Sequence, residues 1–245
     1  MKNDNQILVS IDETHHVING RPLYSNRYNQ VQSFHTPPGY APVESDGECF
    51  YIDTEGKPVF EIKFKKAYGF YDGIATVADS SGFFHIDTAC QSLHQQRFLW
   101  SGNFQEKLCA VQSFEKKLYF HIDATGQPLY PQRYNYVGDF YYGIAVVHNS
   151  DGLCTHICND GSLLHQEYFL ELSNYHKGYA IAKDSKGYFH VDKSGNPLYD
   201  QRYNHLEPFY NNRSFATNLN GIKLVFDQPR KVMCRIYTVK SVMTS

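Results

Sequence analysis

The sequence predicts an all-β repeat protein: a six-bladed β-propeller of units about 35 residues long, with an open array of β-hairpins as the alternative packing. Three observations lead there. The chain of 245 residues holds 20 Tyr and 17 Phe, residue types that suit a pleated, half-buried surface. One strand-like core recurs, as "FYID" ending at Asp53, "FHID" at Asp87 and Asp123, "THIC" at Cys158, "FHVD" at Asp192 and "LVFD" at Asp227, in steps of 34, 36, 35, 34 and 35 residues. No segment shows the 3.6-residue apolar period of a helix.

Each core is followed by the same elements in the same order. Turn chemistry comes first, in "TACQ", "ATGQ" and "KSGN". A second phrase then runs "GRPLYSNRY" (20–28), "GKPVFEIKF" (56–64), "CQSLHQQRF" (90–98), "GQPLYPQRY" (126–134), "GSLLHQEYF" (161–169) and "GNPLYDQRY" (195–203). Its "PLY" reads as a short strand opening at Pro, where Pro is tolerated, and "RYxxV" as another strand. A third phrase, "FYDGIATV" (70–77), "FYYGIAVV" (140–147) and "YHKGYAIA" (175–182), supplies a fourth strand. "DSSG", "NSDG" and "KDSKG" then turn this strand back into the next core as a hairpin.

A single meander of this kind cannot bury both its faces, whereas six neighbours can. The units fall near 15–50, 51–84, 85–120, 121–155, 156–189 and 190–227, within one domain spanning 1–230. The N-terminal "ILVSID" (7–12) reads as another copy of the core strand, able to pair where first and last blades meet. The tail 231–245 lies outside the repeat, with "KVMCRIYTVKS" (231–241) strand-like.

Laid out as G-[YF]-F-H-[IV]-D-x-x-G-x-P-L-Y-x-x-R-Y followed by F-x-x-G-x-A-x-V, the phrase resembles the unit of the bacterial WG-repeat (KWG) proteins over about residues 15 to 227. It departs where that family takes its name: Phe83–Phe84 and Tyr188–Phe189 stand where the Trp-Gly pair belongs, and the one tryptophan, Trp100, lies elsewhere. The resemblance implies a β-repeat scaffold used as an interaction module.

The formal net charge is -2, and the longest basic run, "KFKK" (63–66), is too short for a nucleic-acid footprint. The first residues carry no apolar stretch of signal-peptide length and no later stretch is long enough to span a bilayer. Cys49, Cys90, Cys109, Cys154, Cys158 and Cys234 fit neither a disulfide framework nor paired zinc knuckles. A cytoplasmic protein with reduced thiols is expected, with leaderless secretion as the other route.

The most chemically suggestive feature is a recurring histidine: His85, His121, His156 and His190, with Tyr51 in a fifth unit and His15 at the start. A ring of imidazoles binding a metal or an anion is one reading. The other is structural, each ring bonded to the acid two residues on (Asp87, Asp123, Asp192) or to a turn amide. Repetition in nearly every unit favours the structural role, because catalysis requires asymmetry. Arg27, Arg97, Arg133 and Arg202, with Lys63 in place of one, could line a face and bind phosphate or carboxylate, but the favoured reading is scaffold, bridging to an acid or lying over a Tyr. Departures from the pattern are where function is sought. In the fifth unit these are Cys158, Tyr168 and His165; in the third, Cys90, His94 and Trp100. A Cys–His nucleophile needs an orienting third group, and the sequence offers none.

The expected function is a non-catalytic scaffold for protein–protein interaction, with no catalytic residues, metal or cofactor. The alternatives are a small-ligand or glycan-binding module, and a hydrolase or lyase with a central site. Candidate binding residues are Tyr141, Tyr142, Phe209, Tyr210, Trp100 and His165, aromatic anchors at loop tips or irregular positions. A protein partner is expected, with a carbohydrate or small molecule as the other possibility, and neither nucleic acid nor membrane.

Overall fold

The computed structural model describes residues 6–227, which form strands and turns and no helix. Their strands make seven sheets of three strands each, every sheet an antiparallel meander. The strands are Ile7–Val9, His16–Ile18 and Arg21–Pro22 in the first sheet, and Gln30–Val31, Ala41–Ser45 and Glu48–Ile52 in the second. The third holds Lys66–Tyr71, Ile74–Asp79 and Gly82–Asp87, and the fourth Trp100–Ser101, Cys109–Gln112 and Tyr119–Ile122. The fifth holds Tyr136–Val137, Ile144–His148 and Cys154–Cys158, and the sixth Glu171–Leu172, Ala180–Asp184 and Gly187–Val191. His205–Leu206, Arg213–Thr217 and Lys223–Asp227 form the seventh. The chain divides into two compact units, residues 1–133 and 134–245, which contain four and three of these sheets respectively. The tail "KVMCRIYTVKS" and Cys234 lie outside the described residues.

Two expectations are corrected here. The described residues make seven sheets where six units were expected, because residues 7–22 form a sheet of their own. "ILV" within it is not a further core strand: Val9 pairs with His16 as Thr76 pairs with His85, so it takes the place of "GIAVV" in the repeat. Each unit also has one strand fewer than expected. In the later copies the "PLY" segment makes only a single bridge, such as Ile122 to Pro128 or Val191 to Pro197, whereas in the first sheet Arg21–Pro22 pairs over two residues. Ser92 and Leu163, standing where other copies have Pro, make the same single bridge, so the missing N–H of proline is not what limits this pairing.

The central and third strands of the inner sheets are buried on both faces, which is why their apolar runs do not alternate with polar residues. Side chains from successive sheets close over one another. Cys49, Tyr51 and Phe64 pack with Val77, Phe84 and Ile86 in the first unit, and Phe169 packs with Ala180, Ala182, Phe189 and Val191 in the second. The hairpins join through two-residue turns with left-handed residues, Asp72–Gly73 and Tyr142–Gly143 among them, the geometry that matches strand twist.

Candidate functional site

The repeated histidines belong to the core. His16, His85, His121, His156 and His190 are each at most 1% exposed. The first copy is His16 and not His15, which is displaced by one residue from the core position and bonds Thr14 instead. Each Nδ1 meets a side chain eight or nine residues on: Tyr24, His94, Tyr130, His165 or Tyr199, at 2.5 to 3.0 Å. Nε2 of His16, His156 and His190 faces the carbonyl of Gln32, Ser173 or Glu207 at 2.9, 3.0 and 3.1 Å. A carbonyl only accepts, so Nε2 carries the proton and Nδ1 accepts from its partner. His85 differs: its Nε2 meets the hydroxyl of Ser101 at 2.8 Å.

Burial disfavours the charged imidazole. It pushes His85 down to about 3 and His156 and His190 to about 4, with a neighbouring imidazole adding to the fall at His85 and His156. Rings held neutral with both nitrogens bonded inside their own unit have neither a lone pair free for a metal nor an N–H free for an anion. Among the described residues, no group of three or more His, Cys, Asp or Glu side chains is placed to hold a metal ion.

The acids were expected to pair with the histidines and do not. Oδ1 of Asp87 accepts from the amides of Ala89 and Gln91, that of Asp123 from Thr125 and Gln127, and that of Asp192 from Ser194 and Asn196. They shape the turn, as Asp does by bonding its own backbone two residues on. The arginines also act within the unit, though over Phe and not Tyr. The guanidinium carbons of Arg97, Arg133 and Arg202 lie 3.9, 3.8 and 3.6 Å from the ring centres of Phe84, Phe120 and Phe189. Their Nη1 groups donate to turn carbonyls, as Arg27 does to Tyr24, Ser25 and Asn26. An acid bridge forms at Arg202, whose Nε lies 2.7 Å from Asp184. Lys63 stands in this place near Phe50, paired with Glu48.

The irregular positions divide. His165 and His94 are buried, replacing Tyr as partners of His156 and His85, so His165 is not a binding residue. Their Nδ1 atoms are buried without a hydrogen-bond partner among the described residues. Cys90 occupies a left-handed turn position, and burial pushes its thiol up. The close Cys–His contact is elsewhere: Cys109 Sγ lies 3.6 Å from His85 Nε2 and 3.3 Å from the Ser101 hydroxyl, in the closed core. His156 is fully engaged with His165 and Ser173 and leaves nothing for Cys158.

The tyrosine tips behave as expected. Tyr141, Tyr142 and Tyr210 are 53, 81 and 69% exposed. Phe209 is buried, its ring 4.2 Å from that of His190, because the strand alternation turns it inward where Tyr210 turns out. Trp100 is exposed but sits on the fourth sheet against Tyr119, in the other unit. In the second unit, Tyr141 and Tyr142 open onto a cleft of about 440 Å³ shared with Ile144, Tyr175, His176, Lys177, Gly178 and Lys193. His176 Nδ1 donates to the carbonyl of Phe209 at 2.8 Å, and its ring lies parallel to that of Tyr210. Lys177 Nζ stands 5.1 Å from the centre of the same ring. His176, Lys177 and Lys193 were not singled out from sequence. The available signal was Lys177 itself, a lysine at the hairpin tip where Asp72 and Asn211 stand in other copies.

The WG containing repeat matches residues 50–78 and 121–151. No curated protein matches the sequence. Among solved structures, BamB from Moraxella catarrhalis is similar at 11% identity, covering 97% of this chain and 87% of that one with a TM-score of 0.49. The WD40 beta propeller domain of Doa1 is similar at 10% identity, 93% and 90% coverage and a TM-score of 0.40. Kluyveromyces lactis Hsv2 is similar at 11% identity, 94% and 75% coverage and a TM-score of 0.47. Two segments of the chain, 50–78 and 121–151, are thus similar to the WG containing repeat, and the described residues are all-β.

Proposed function

We propose that the chain is a non-catalytic scaffold that docks a protein partner on the hairpin tips of its second unit. The observation that supports this reading most directly is the exposed tyrosine set, Tyr141, Tyr142 and Tyr210, held on two-residue turns between paired strands. Tyr combines large contact area with few rotatable bonds, so a rigidly held Tyr loses little entropy on binding. The histidines whose proton affinities fall furthest, His85, His156 and His190, are sealed in the core and committed to structural bonds, out of reach of a substrate. Cys49, Cys90, Cys109 and Cys154 are buried free thiols, which supports a reducing, cytoplasmic setting.

A second reading, a glycan or small-ligand module, draws support from the cleft, whose tyrosines offer stacking faces and whose size falls in the range of ligand pockets. One experiment separates the two. The chain and its Tyr142→Ser/Tyr210→Ser variant are used in parallel as bait in extract of the native cell, and retained polypeptides and small molecules are both identified. A polypeptide held by the wild type, lost with the variant and binding directly when purified supports the scaffold. Retention of a discrete small molecule with no such polypeptide overturns it.

A further inference from the structure

The cleft is charged as well as aromatic. Lys177 and Lys193 both line it, and no Asp or Glu does. Lys57, Lys63 and Lys183 are paired with Glu55, Glu48 and Glu171. Among the described residues, neither Lys177 nor Lys193 has a carboxylate partner. The nearest acid in sequence, Asp192, spends its carboxylate on the amides of Ser194 and Asn196. Two ammonium groups therefore share a concave site with no carboxylate in its lining.

The backbone holds the cleft tips in the same turn geometry as the other hairpins. The equivalent hairpin turns place a non-glycine residue in the left-handed region, with φ of 50° at Asp72, 52° at Glu106, 50° at Tyr142, 51° at Lys177 and 48° at Asn211. Asp and Asn tolerate that conformation; Tyr and Lys adopt it at a cost. Tyr142 and Lys177 are the two first-turn residues that line the cleft.

We infer that the cleft receives an acidic peptide segment, a Glu or Asp side chain of the partner meeting Lys177 and Lys193 while its backbone and stem lie on Tyr141 and Tyr142. The inference rests on the protein-partner reading and names the chemistry of that partner. Charge complementarity selects the occupant: two lysines with no carboxylate in the lining favour an anion, and the flanking tyrosine faces favour the apolar stem of a side chain over a bare ion.

The test is direct binding of a fluorescent peptide, six Glu residues flanked by Gly-Ser, with a six-Gln peptide, inorganic phosphate and glucuronate as separate arms. The Glu peptide is expected to bind and to weaken as salt is raised. Lys177→Gln and Lys193→Gln, both on the exposed surface, should each weaken it about five-fold, the size of a partly exposed ion pair. Equal binding of the Gln peptide, or binding of phosphate or glucuronate without the Glu peptide, overturns the inference. The two failures are distinguishable. If the captured polypeptide is lost with Tyr142→Ser but kept by both lysine variants, the acidic segment is wrong and the scaffold stands. If neither class of variant matters, both readings fall.

Discussion

The hydroxyl of Tyr199 donates to Nδ1 of His190 across 2.6 Å, while Nε2 of the same ring donates to the carbonyl of Glu207 at 3.1 Å. One imidazole thus ties its own strand to a turn nine residues on and to the residue just past a strand seventeen residues on. The same arrangement recurs at His16 with Tyr24 and Gln32. Tyr51 is an informative exception. It takes the histidine position, donates its own hydroxyl to the carbonyl of Tyr68 at 2.7 Å, and has Phe60, with no polar atom, where the others have Tyr or His.

Tyr199→Phe leaves Nδ1 of His190 a buried acceptor with no donor. A loss of about 1–3 kcal/mol is expected, the penalty for an unsatisfied buried group. Urea unfolding of the variant beside Phe60→Leu, which removes no hydrogen bond, measures it. A midpoint for Tyr199→Phe equal to wild type would remove the bond from the stabilising set.

Acid should destabilise the fold. His16, His85, His156 and His190 all have proton affinities lowered by burial, with His85 at about 3 and the last two at about 4. In the unfolded chain they titrate near 6.5. Between those values the unfolded state binds protons that the folded state refuses, so the stability is fully present above about pH 6.5 and is lost as pH falls towards 4. Near pH 5 the slope should approach about 4 kcal/mol per pH unit from His85, His156 and His190 together. Urea midpoints taken from pH 8 to pH 4.5 report it, and a flat profile below pH 6.5 would contradict the neutral, buried assignment.

His165→Tyr should raise stability. The Nδ1 of His165 is buried without a hydrogen-bond partner among the described residues, whereas a Tyr hydroxyl here would donate to His156 as Tyr199 does to His190. The flanking Gly195 already leaves the ring room, as Gly56 does for Tyr24. A gain of about 1 kcal/mol is expected from removing an unpaired buried nitrogen. A lowered thermal midpoint would mean that the larger ring does not fit.

Gly56 and Gly152 separate two demands on a glycine. Both have left-handed φ, of 74° and 77°. A Cβ at Gly56 would stand 2.5 Å from the Tyr24 ring, whereas nothing lies within 4 Å of one at Gly152. Gly152→Ala should cost about 1–2 kcal/mol, for the backbone alone. Gly56→Ala should cost a further 1–3 kcal/mol or so, for overpacking. Equal losses would show that the ring yields freely.

Much of this architecture was legible in the sequence because it is local. Strand chemistry, the Asp-capped turns and the hairpin dipeptides repeat at matching spacings, and each is decided within a few residues. The first sheet was obscured because "THHVING" lacks the Phe and Asp that mark the other cores, although His16 holds the register. The histidine pairing was written in the repeat as well, in the exchange of Tyr51 with Phe60 against His190 with Tyr199, but it appears only when positions nine apart are compared across copies.

What the sequence by itself determined is the repeated strand–turn grammar and the tyrosine-bearing tips, since backbone propensity and side-chain alternation act over short distances. Only the tertiary structure decided that Phe209 faces inward while Tyr210 faces out, that Trp100 and the tyrosines lie in different units, and that Lys177 and Lys193 share one cleft. Those relations depend on how one sheet stacks on the next. That is a balance of buried area and bonded polar groups summed over residues far apart in the chain, and no short stretch of sequence contains it.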